Sequence, residues 1–373
     1  MKLIRNIIAV VIAFVMAFSV TGCHKKNEIA VKANGFEYTS AYYMCALINA
    51  YSEAQGKVQE NAEVSDDEID YFKEKIDDKK FETWVKDRAI EILEETATYQ
   101  KLCKDAKVEM DEETKGQAEY TAYYMWSMYG YSSYFEPNGV SFETFTKYTV
   151  DSYYPSLYFK HLYAEGGEKE ISSSDVEKKL YDDFIIADLI DVTFDKETDK
   201  EKAEIKSKLD AYVKDLNSGK KTFEEVYNDY NEVEEKEETD KETADKETEN
   251  TEDTDGTEEE EKELEPLDKY AQILGAKDTG YESDYFEEVK KMADKEVKLI
   301  TKEDNEGYVL VVKKDIKADP YYRENLDITV RHLLKDDEFD KDMEGLIKKT
   351  EAKVNGFAVD RFKVKKIKEP SYS

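Results

Sequence analysis

From residue 41 to about residue 163, apolar side chains recur every three or four positions. Such spacing places apolar residues on one face of a helix. Thr39 or Ser40 can cap the first helix, and Asp111 and Ser141 precede later ones. The clearest run lies between 81 and 103, where the repeating residues are Phe81, Trp84, Val85, Ile90, Leu93, Tyr99 and Leu102. The first half of the chain therefore predicts packed helices.

The spacing of the apolar residues changes after residue 184. The β-branched run Ile185–Phe194 predicts a strand, and Lys200–Leu216 follows as an amphipathic helix. Thr222 can cap a further short helix. Near the end, the segments 296–301 and 307–313 predict two paired strands, a helical pattern returns from Tyr321, and residues 362–367 predict a last strand. The whole pattern predicts an α+β fold.

An acidic tract interrupts the second half of the chain. Residues 232–265 hold 19 acidic residues and 4 lysines, a net charge of 4 − 19 = −15. A segment with so few apolar residues cannot bury enough surface to offset its chain entropy. We expect a disordered insertion within a domain, because strand-like segments lie on both sides.

The N-terminus has the pattern of an export signal. Lys2 and Arg5 precede the apolar run 7–20, which ends in Val20-Thr21-Gly22-Cys23. The segment resembles a bacterial lipoprotein signal with its lipobox. That resemblance implies a signal peptide over 1–22, lipidation of Cys23, and a tether over 23–30. The alternative is an uncleaved anchor, and either interpretation places the body outside the cytoplasm on a membrane.

Charge and composition exclude several classes of function. A formal net charge of −33 argues against nucleic acid as a partner. Three histidines without a Cys/His cluster predict no metal site, and no motif calls for a cofactor. Cys45 and Cys103 can be two buried thiols or one disulfide.

Residues 120–135 form an unusual aromatic segment, since ten of the 16 are aromatic or Met. One helix face cannot hold so many, so some must be exposed or meet another element. They can fill the core, or they can bind unfolded polypeptides, for which flexible Met and amphipathic Tyr are suited. The predicted client-binding residues are Tyr123, Tyr124, Trp126, Met128, Tyr129, Tyr131, Tyr134 and Phe135.

The order of these segments resembles the extracytoplasmic parvulin-type foldases of the PrsA and SurA group. The turn Asn34-Gly35 is similar to their opening motif, and Gly219-Lys-Lys-Thr-Phe-Glu-Glu-Val226 is similar to their short-helix motif. The resemblance implies a SurA-like helical chaperone domain built from residues 31–170 and 317–373. It also implies an inserted parvulin-like α+β domain over 171–316.

The histidines of the family's isomerase site are missing here. Their positions correspond to Asp191 and Val309, and the range 171–316 contains neither His nor Cys. Asp191, Thr193 and Tyr308 are the candidate catalytic residues of a rebuilt site, and Asp191 can equally be a plain surface residue.

The sequence thus predicts a membrane-anchored, extracytoplasmic chaperone or foldase for unfolded and newly secreted polypeptides. Its isomerase domain is expected to be inactive or weak. One alternative is an active peptidyl-prolyl isomerase with a site that lacks His. Another is a solute-binding or structural surface lipoprotein, although the helical range 41–163 lacks the strand–helix alternation of a binding-protein lobe.

Overall fold

The computed structural model describes residues 28–60, 69–239, 266–267, 269–303 and 306–369. The predicted signal peptide, Cys23 and most of the acidic tract lie outside these residues. The described chain forms two compact units. The helical unit comprises the residues up to Glu170 together with those from Asp337 onward, and the sheet unit comprises Ile171–Asp336. The fold is mixed α+β with mostly helical content.

The helical unit begins with a hairpin. Strands β1 (Ile29–Ala33) and β2 (Phe36–Thr39) pair antiparallel, and β9 (Lys353–Val354) adds to the other edge of β1. The connecting residues Asn34 and Gly35 have φ values of 49° and 84°. Two consecutive positive φ angles are what a two-residue hairpin turn needs, which explains the Asn-Gly pair.

Among the described residues before 170, six α-helices and one small hairpin follow in the helical unit. They are α1 (Ser40–Gln59), the hairpin β3 (Lys75–Ile76) and β4 (Lys79–Lys80), α2 (Phe81–Ala106), α3 (Glu112–Ser127), α4 (Tyr131–Phe135), α5 (Phe142–Asp151) and α6 (Tyr154–Tyr163).

Three helix starts follow the sequence prediction. The side chain of Thr39 accepts a hydrogen bond from the backbone N–H of Tyr42. Asp111 and Ser141 accept the corresponding bonds at the starts of α3 and α5. These short polar side chains satisfy N–H groups that have no partner inside the helix.

Helix α1 is the centre of the helical unit. Side chains on nearly all of its faces are buried, as expected for a helix surrounded by other elements. The fully buried ring of Phe81, at the start of α2, meets Tyr51 of α1 edge-on, with ring centroids 5.6 Å apart. Cys45 and Cys103 are both free, buried thiols, so the interpretation as separate thiols is correct for this structure.

The C-terminal segment contributes to the same core. Within the part of α11 (Pro320–Ile347) that belongs to the helical unit, Phe339 contacts Phe159 of α6 edge-on at 5.2 Å. Lys169 Nζ lies 2.6 Å from a carboxylate oxygen of Asp342. Downstream, α12 (Gly356–Val359) precedes a 3-10 turn, Val364–Lys366. The predicted strand over 362–367 is wrong, because this segment turns to bury Val364 in the core and β9 occupies the free edge of β1.

The sheet unit contains a four-stranded antiparallel sheet in the order β6-β5-β8-β7. Its elements are α7 (Ser173–Asp183), β5 (Phe184–Thr193), α8 (Asp199–Asn217), α9 (Phe223–Thr239), β6 (Ala271–Gly275), α10 (Phe286–Lys290), β7 (Val297–Thr301) and β8 (Gly307–Lys314), with the first part of α11. Helix α9 runs eight residues into the tract that was expected to lack structure. Glu and Lys are good helix formers and extend a helix that has already begun at Phe223.

Each face of this sheet packs on helices. On one face, Ala187 and Leu189 of β5 pack with Phe286 and Val289 of α10. On the other, Ile190 and Val192 form a cluster with residues of α8 and α9. Because strand residues alternate between faces, the odd-numbered residues of β5 share the α10 face. None of the helices in the described part of the chain combines the length and apolar composition of a membrane span.

Candidate functional site

Helix α3 separates the aromatic segment into a buried face and an exposed face. Ala118, Ala122 and Trp126, four residues apart, are buried. Tyr120 and Tyr124 lie on another face of the helix and stack at a centroid distance of 6.2 Å. The i, i+4 geometry of a helix therefore decides which aromatic residues remain in solvent.

Five large side chains together form what we call the aromatic surface. They are Tyr120, Tyr123, Tyr124, Met128 and Tyr129, with exposed fractions between 40% and 68%. Tyr129 extends the Tyr120–Tyr124 stack by an edge-on contact with Tyr124 at 5.2 Å. At roughly 200 Å² for each such side chain, the aromatic surface presents on the order of 600 Å². This equals the largest patches of ordinary monomers, which are often functional.

A cleft of about 820 Å³ continues from the aromatic surface. Met128 and Tyr129 belong to both, and Tyr131 and Tyr134 add half-buried rings to the lining. Helix α1 contributes another part of the lining, in which Asn49 and Ser52 add polar groups to the apolar side chain of Ile48. The rings can pack against the side chains of an extended peptide, and the amide and hydroxyl groups can form hydrogen bonds with its backbone.

Two of the predicted client-binding residues are core residues instead. Trp126 is 8% exposed, and its ring contacts Phe142 and Phe145. Phe135 is 1% exposed and meets Phe145 with ring centroids 4.9 Å apart. Both side chains pack among the helices of the unit, so they belong to the core beneath the aromatic surface and are not available to a client. Tyr120, which the sequence prediction left out of the site, is among its most exposed members.

A polar cluster lies at the end of β5 in the sheet unit. Asp191 forms an ion pair with Lys302, whose Nζ also donates a 2.6 Å hydrogen bond to Thr193 Oγ1. The Tyr285 hydroxyl lies 3.4 Å from Asp191 Oδ2. Burial, followed by the charge of Asp191, raises the pKa of Tyr285, so its hydroxyl keeps its proton to a higher pH than an ordinary tyrosine.

This cluster borders a cavity of about 400 Å³. Leu274 and Ile300 give the cavity an apolar part, and Tyr281 and Tyr285 contribute to its lining. Strand β5 is buried except at Asp191 and Thr193, which lie at its C-terminal end. The cavity thus joins an apolar surface to phenol and ammonium donors and to five carboxylates, those of Asp191, Glu282, Asp284, Glu288 and Glu303.

Tyr308 does not belong to this cluster. It pairs with Val192 across β5 and β8, and it therefore lies on the opposite face of the sheet from Asp191 and Thr193. Its ring meets Phe194 edge-on at 5.2 Å. The structure brings together two of the three predicted catalytic residues, and the third packs on the face that carries α8 and α9.

Sequence reasoning missed Lys302 and Tyr285. Lys302 follows β7 directly, and Tyr285 directly precedes α10, so both reach Asp191 only through the pairing of distant strands. No local pattern marks them. Within the residues that the structure describes, no three His, Cys, Asp or Glu side chains are placed to hold a metal ion.

The fold and these surfaces describe a mixed α+β protein with an exposed aromatic surface in one unit and a small polar cavity in the other. No protein-family model matches the chain, and no curated protein sequence matches it. Among solved structures it is similar to the foldase protein PrsA from Lactococcus lactis. That similarity has 13% sequence identity and a TM-score of 0.35, and it covers 89% of this chain and 96% of the other.

Proposed function

We propose that the protein is a chaperone that holds unfolded polypeptides on the aromatic surface and in the adjoining cleft. One observation carries the proposal: five exposed large side chains are continuous with a cleft of about 820 Å³. Large exposed apolar patches mark interaction sites, and Met and Tyr adapt to many sequences. An open surface of this kind suits a polypeptide better than a small enclosed ligand.

The strong negative charge fits the same role. At −33, repeated copies of the chain repel each other and keep a complex with an unfolded client soluble. The test is aggregation of a chemically unfolded substrate after dilution, followed by light scattering. The chain from His24 onward retains every described residue, and at stoichiometric amounts we expect it to slow aggregation. Unchanged aggregation for several unrelated substrates would refute the proposal.

We further propose that the protein works outside the cytoplasm as a lipid-anchored protein. The support is the N-terminal pattern that ends at Cys23, which lies outside the described residues. The full chain, expressed in a bacterium fed a labelled fatty acid, is expected to carry the label, and the Cys23→Ser variant is expected to lose it. Equal labelling of both would exclude Cys23 as the lipid site.

A second candidate function is peptidyl-prolyl isomerisation in the sheet unit. The favouring observation is the Asp191, Thr193, Lys302 and Tyr285 cluster beside a partly apolar cavity. Uncatalysed X-Pro isomerisation takes tens of seconds or longer, so catalysis is readily detected. Our first proposal expects weak or no acceleration, in which case the sheet unit serves binding or spacing.

An X-Pro reporter peptide separates these two possibilities. If the cluster is catalytic, the chain accelerates isomerisation, and Asp191→Ala removes most of that acceleration. Asp195→Ala is the matched control, because Asp195 lies four residues away on the same segment and has a largely exposed side chain. No acceleration by the folded wild-type chain would eliminate the second candidate.

A further inference from the structure

A second cavity in the helical unit differs in chemistry from the cleft. Residues of α2 and of the C-terminal part of α11 line this groove, whose volume is about 540 Å³. That size falls within the range of about 300–1,000 Å³ typical of ligand sites. Its floor is apolar: Met343 is buried, and Tyr99 and Ile347 are half-buried. Phe339 stacks on the ring of Tyr99 at 6.1 Å and fixes its orientation.

The rim of the groove carries an excess of negative charge. Five carboxylates line it against one ammonium group, Lys348, which leaves four formal negative charges. The carboxylates are Glu91, Glu94, Glu95, Asp340 and Glu344. Arg88, outside the lining, pairs with Glu95 at 2.6 Å and lies 3.6 Å from Glu91. Lys348 pairs with Glu344.

Two of these carboxylates are left without a cation. In the part of the chain that the structure describes, Asp340 has neither an ion pair nor a hydrogen bond. Glu94 accepts a 2.8 Å hydrogen bond from the backbone N–H of Ala352 and forms no ion pair with any described basic residue. Burial raises the pKa of Glu94, the bond from Ala352 offsets part of this, and Glu91 adds to it. A positive charge placed here would lower the cost of ionising Glu94.

We propose that this groove binds a lysine or arginine side chain of a client polypeptide, next to an apolar residue of the same segment. This inference rests on the proposed chaperone function and names one class of segment that the protein selects. The apolar floor matches the aliphatic stem of Lys or Arg, while the charged end reaches the carboxylate rim. The face of Tyr99 adds a cation–π contact when the charge lies within about 6 Å.

Charge complementarity distinguishes the groove from the cleft. Among the described residues that line the cleft, Glu369 is the one carboxylate, and it already accepts a hydrogen bond from Tyr51. A polypeptide with an aromatic stretch and a nearby basic residue can therefore satisfy both sites with different side chains. The groove therefore selects side chains by their charge, whereas the aromatic surface accepts many different sequences.

The test uses three labelled peptides that are identical except for one central residue, Lys, Gln or Glu, flanked by Leu and Tyr. Fluorescence anisotropy with the chain from His24 onward gives each Kd. We expect the Lys peptide to bind about tenfold more tightly than the Gln peptide and the Glu peptide to bind most weakly. The groove variant Glu94→Gln with Asp340→Asn is expected to reduce the Lys preference to about twofold. Gln keeps the acceptor that Ala352 needs.

The overall charge of the protein also attracts basic peptides, so a matched control is essential. Glu109→Gln with Asp337→Asn removes two exposed carboxylates of the helical unit outside the groove, one of them on α11 itself. The control is expected to keep the full Lys preference. Equal losses in both variants, or equal affinities of wild type for all three peptides, would overturn the inference. The aggregation assay decides the chaperone function separately, because it does not depend on the charge of one residue.

Discussion

Raising the pH above about 10 is expected to unfold the helical unit in a steep transition. Four tyrosines of its core, Tyr38, Tyr42, Tyr43 and Tyr51, are at most 4% exposed. Burial raises the pKa of each well above the ordinary tyrosine value. Nearby carboxylates add to this, as where the Tyr42 hydroxyl donates a 2.8 Å hydrogen bond to Asp151.

The direction of the effect follows from proton binding. A tyrosine in the unfolded chain loses its proton near pH 10, whereas in the folded unit these four keep theirs. Their stabilising contribution is therefore intact below pH 10 and is lost as the pH rises further. Above pH 10, each of these tyrosines lowers the free energy of unfolding by about 1.4 kcal/mol per pH unit, and the four together lower it by about 5 kcal/mol per pH unit. Against a typical stability of about 5–15 kcal/mol, unfolding follows within one to three pH units.

Far-UV circular dichroism and the ultraviolet absorbance of phenolate measure this transition together. The buried tyrosines should ionise only as helix is lost, so the two signals should coincide for them. Tyr43→Phe is the control, because it removes one titrating group from the core while keeping the ring. It should reduce the contribution of these four tyrosines to the pH dependence of the unfolding free energy by about a quarter. Ionisation of the core tyrosines while the helices persist would contradict the prediction.

Local signals in the sequence predicted most elements correctly. The caps Thr39, Asp111 and Ser141 and the turn Asn34-Gly35 act within three residues of themselves, so they can be identified without the fold. The change of period at residue 185 likewise predicted β5 to within one residue at each end. Capping bonds and hairpin turns are set by short-range geometry, which explains this success.

The errors come from contacts between distant segments. Trp126 and Phe135 are aromatic like their exposed neighbours, and both are buried against Phe145 of α5, which is distant in sequence. Tyr308 lies on the face opposite Asp191 because of the register between β5 and β8, which no local pattern gives. A shift of one residue in a strand moves a side chain to the other face.

The candidate polar cluster shows the same limit. Asp191 and Thr193 became candidates through the resemblance to the parvulin-type foldases, because they stand where that family has its first histidine motif. Lys302 lies 109 residues beyond Thr193 in sequence and joins the cluster only after β7 pairs with β8 and β8 with β5. Lys302 can therefore be recognised as a site residue only once the sheet is known.

Replacing the aromatic surface is expected to abolish most of the protection against aggregation. The variant changes Tyr120, Tyr124, Met128 and Tyr129 to Ser. Truncating one central aromatic contact in an interface commonly costs about 1–2 kcal/mol of binding free energy. Even if the losses of binding free energy at the four positions add only in part, client binding should weaken by more than tenfold. Several-fold more chaperone should then be needed for the same suppression of light scattering.

The variant must remain folded for this result to count. All four side chains are at least 40% exposed, so little apolar surface returns to water when they are shortened. Exposed substitutions typically change the free energy of unfolding by less than about 0.5 kcal/mol each, and the melting temperature should therefore stay close to that of the wild type. Circular dichroism before each assay checks this.

A matched control separates this surface from exposed apolar residues in general. Leu267 and Phe357, which are 78% and 81% exposed, lie outside both the aromatic surface and the cleft. Leu267→Ser with Phe357→Ser should leave suppression of aggregation within about twofold of the wild type, because isolated exposed apolar residues are common and form no patch. Equal loss in the control, or full activity in the four-residue variant, would show that clients bind elsewhere. The exposure of the tyrosines on α3 would then need an explanation other than client binding.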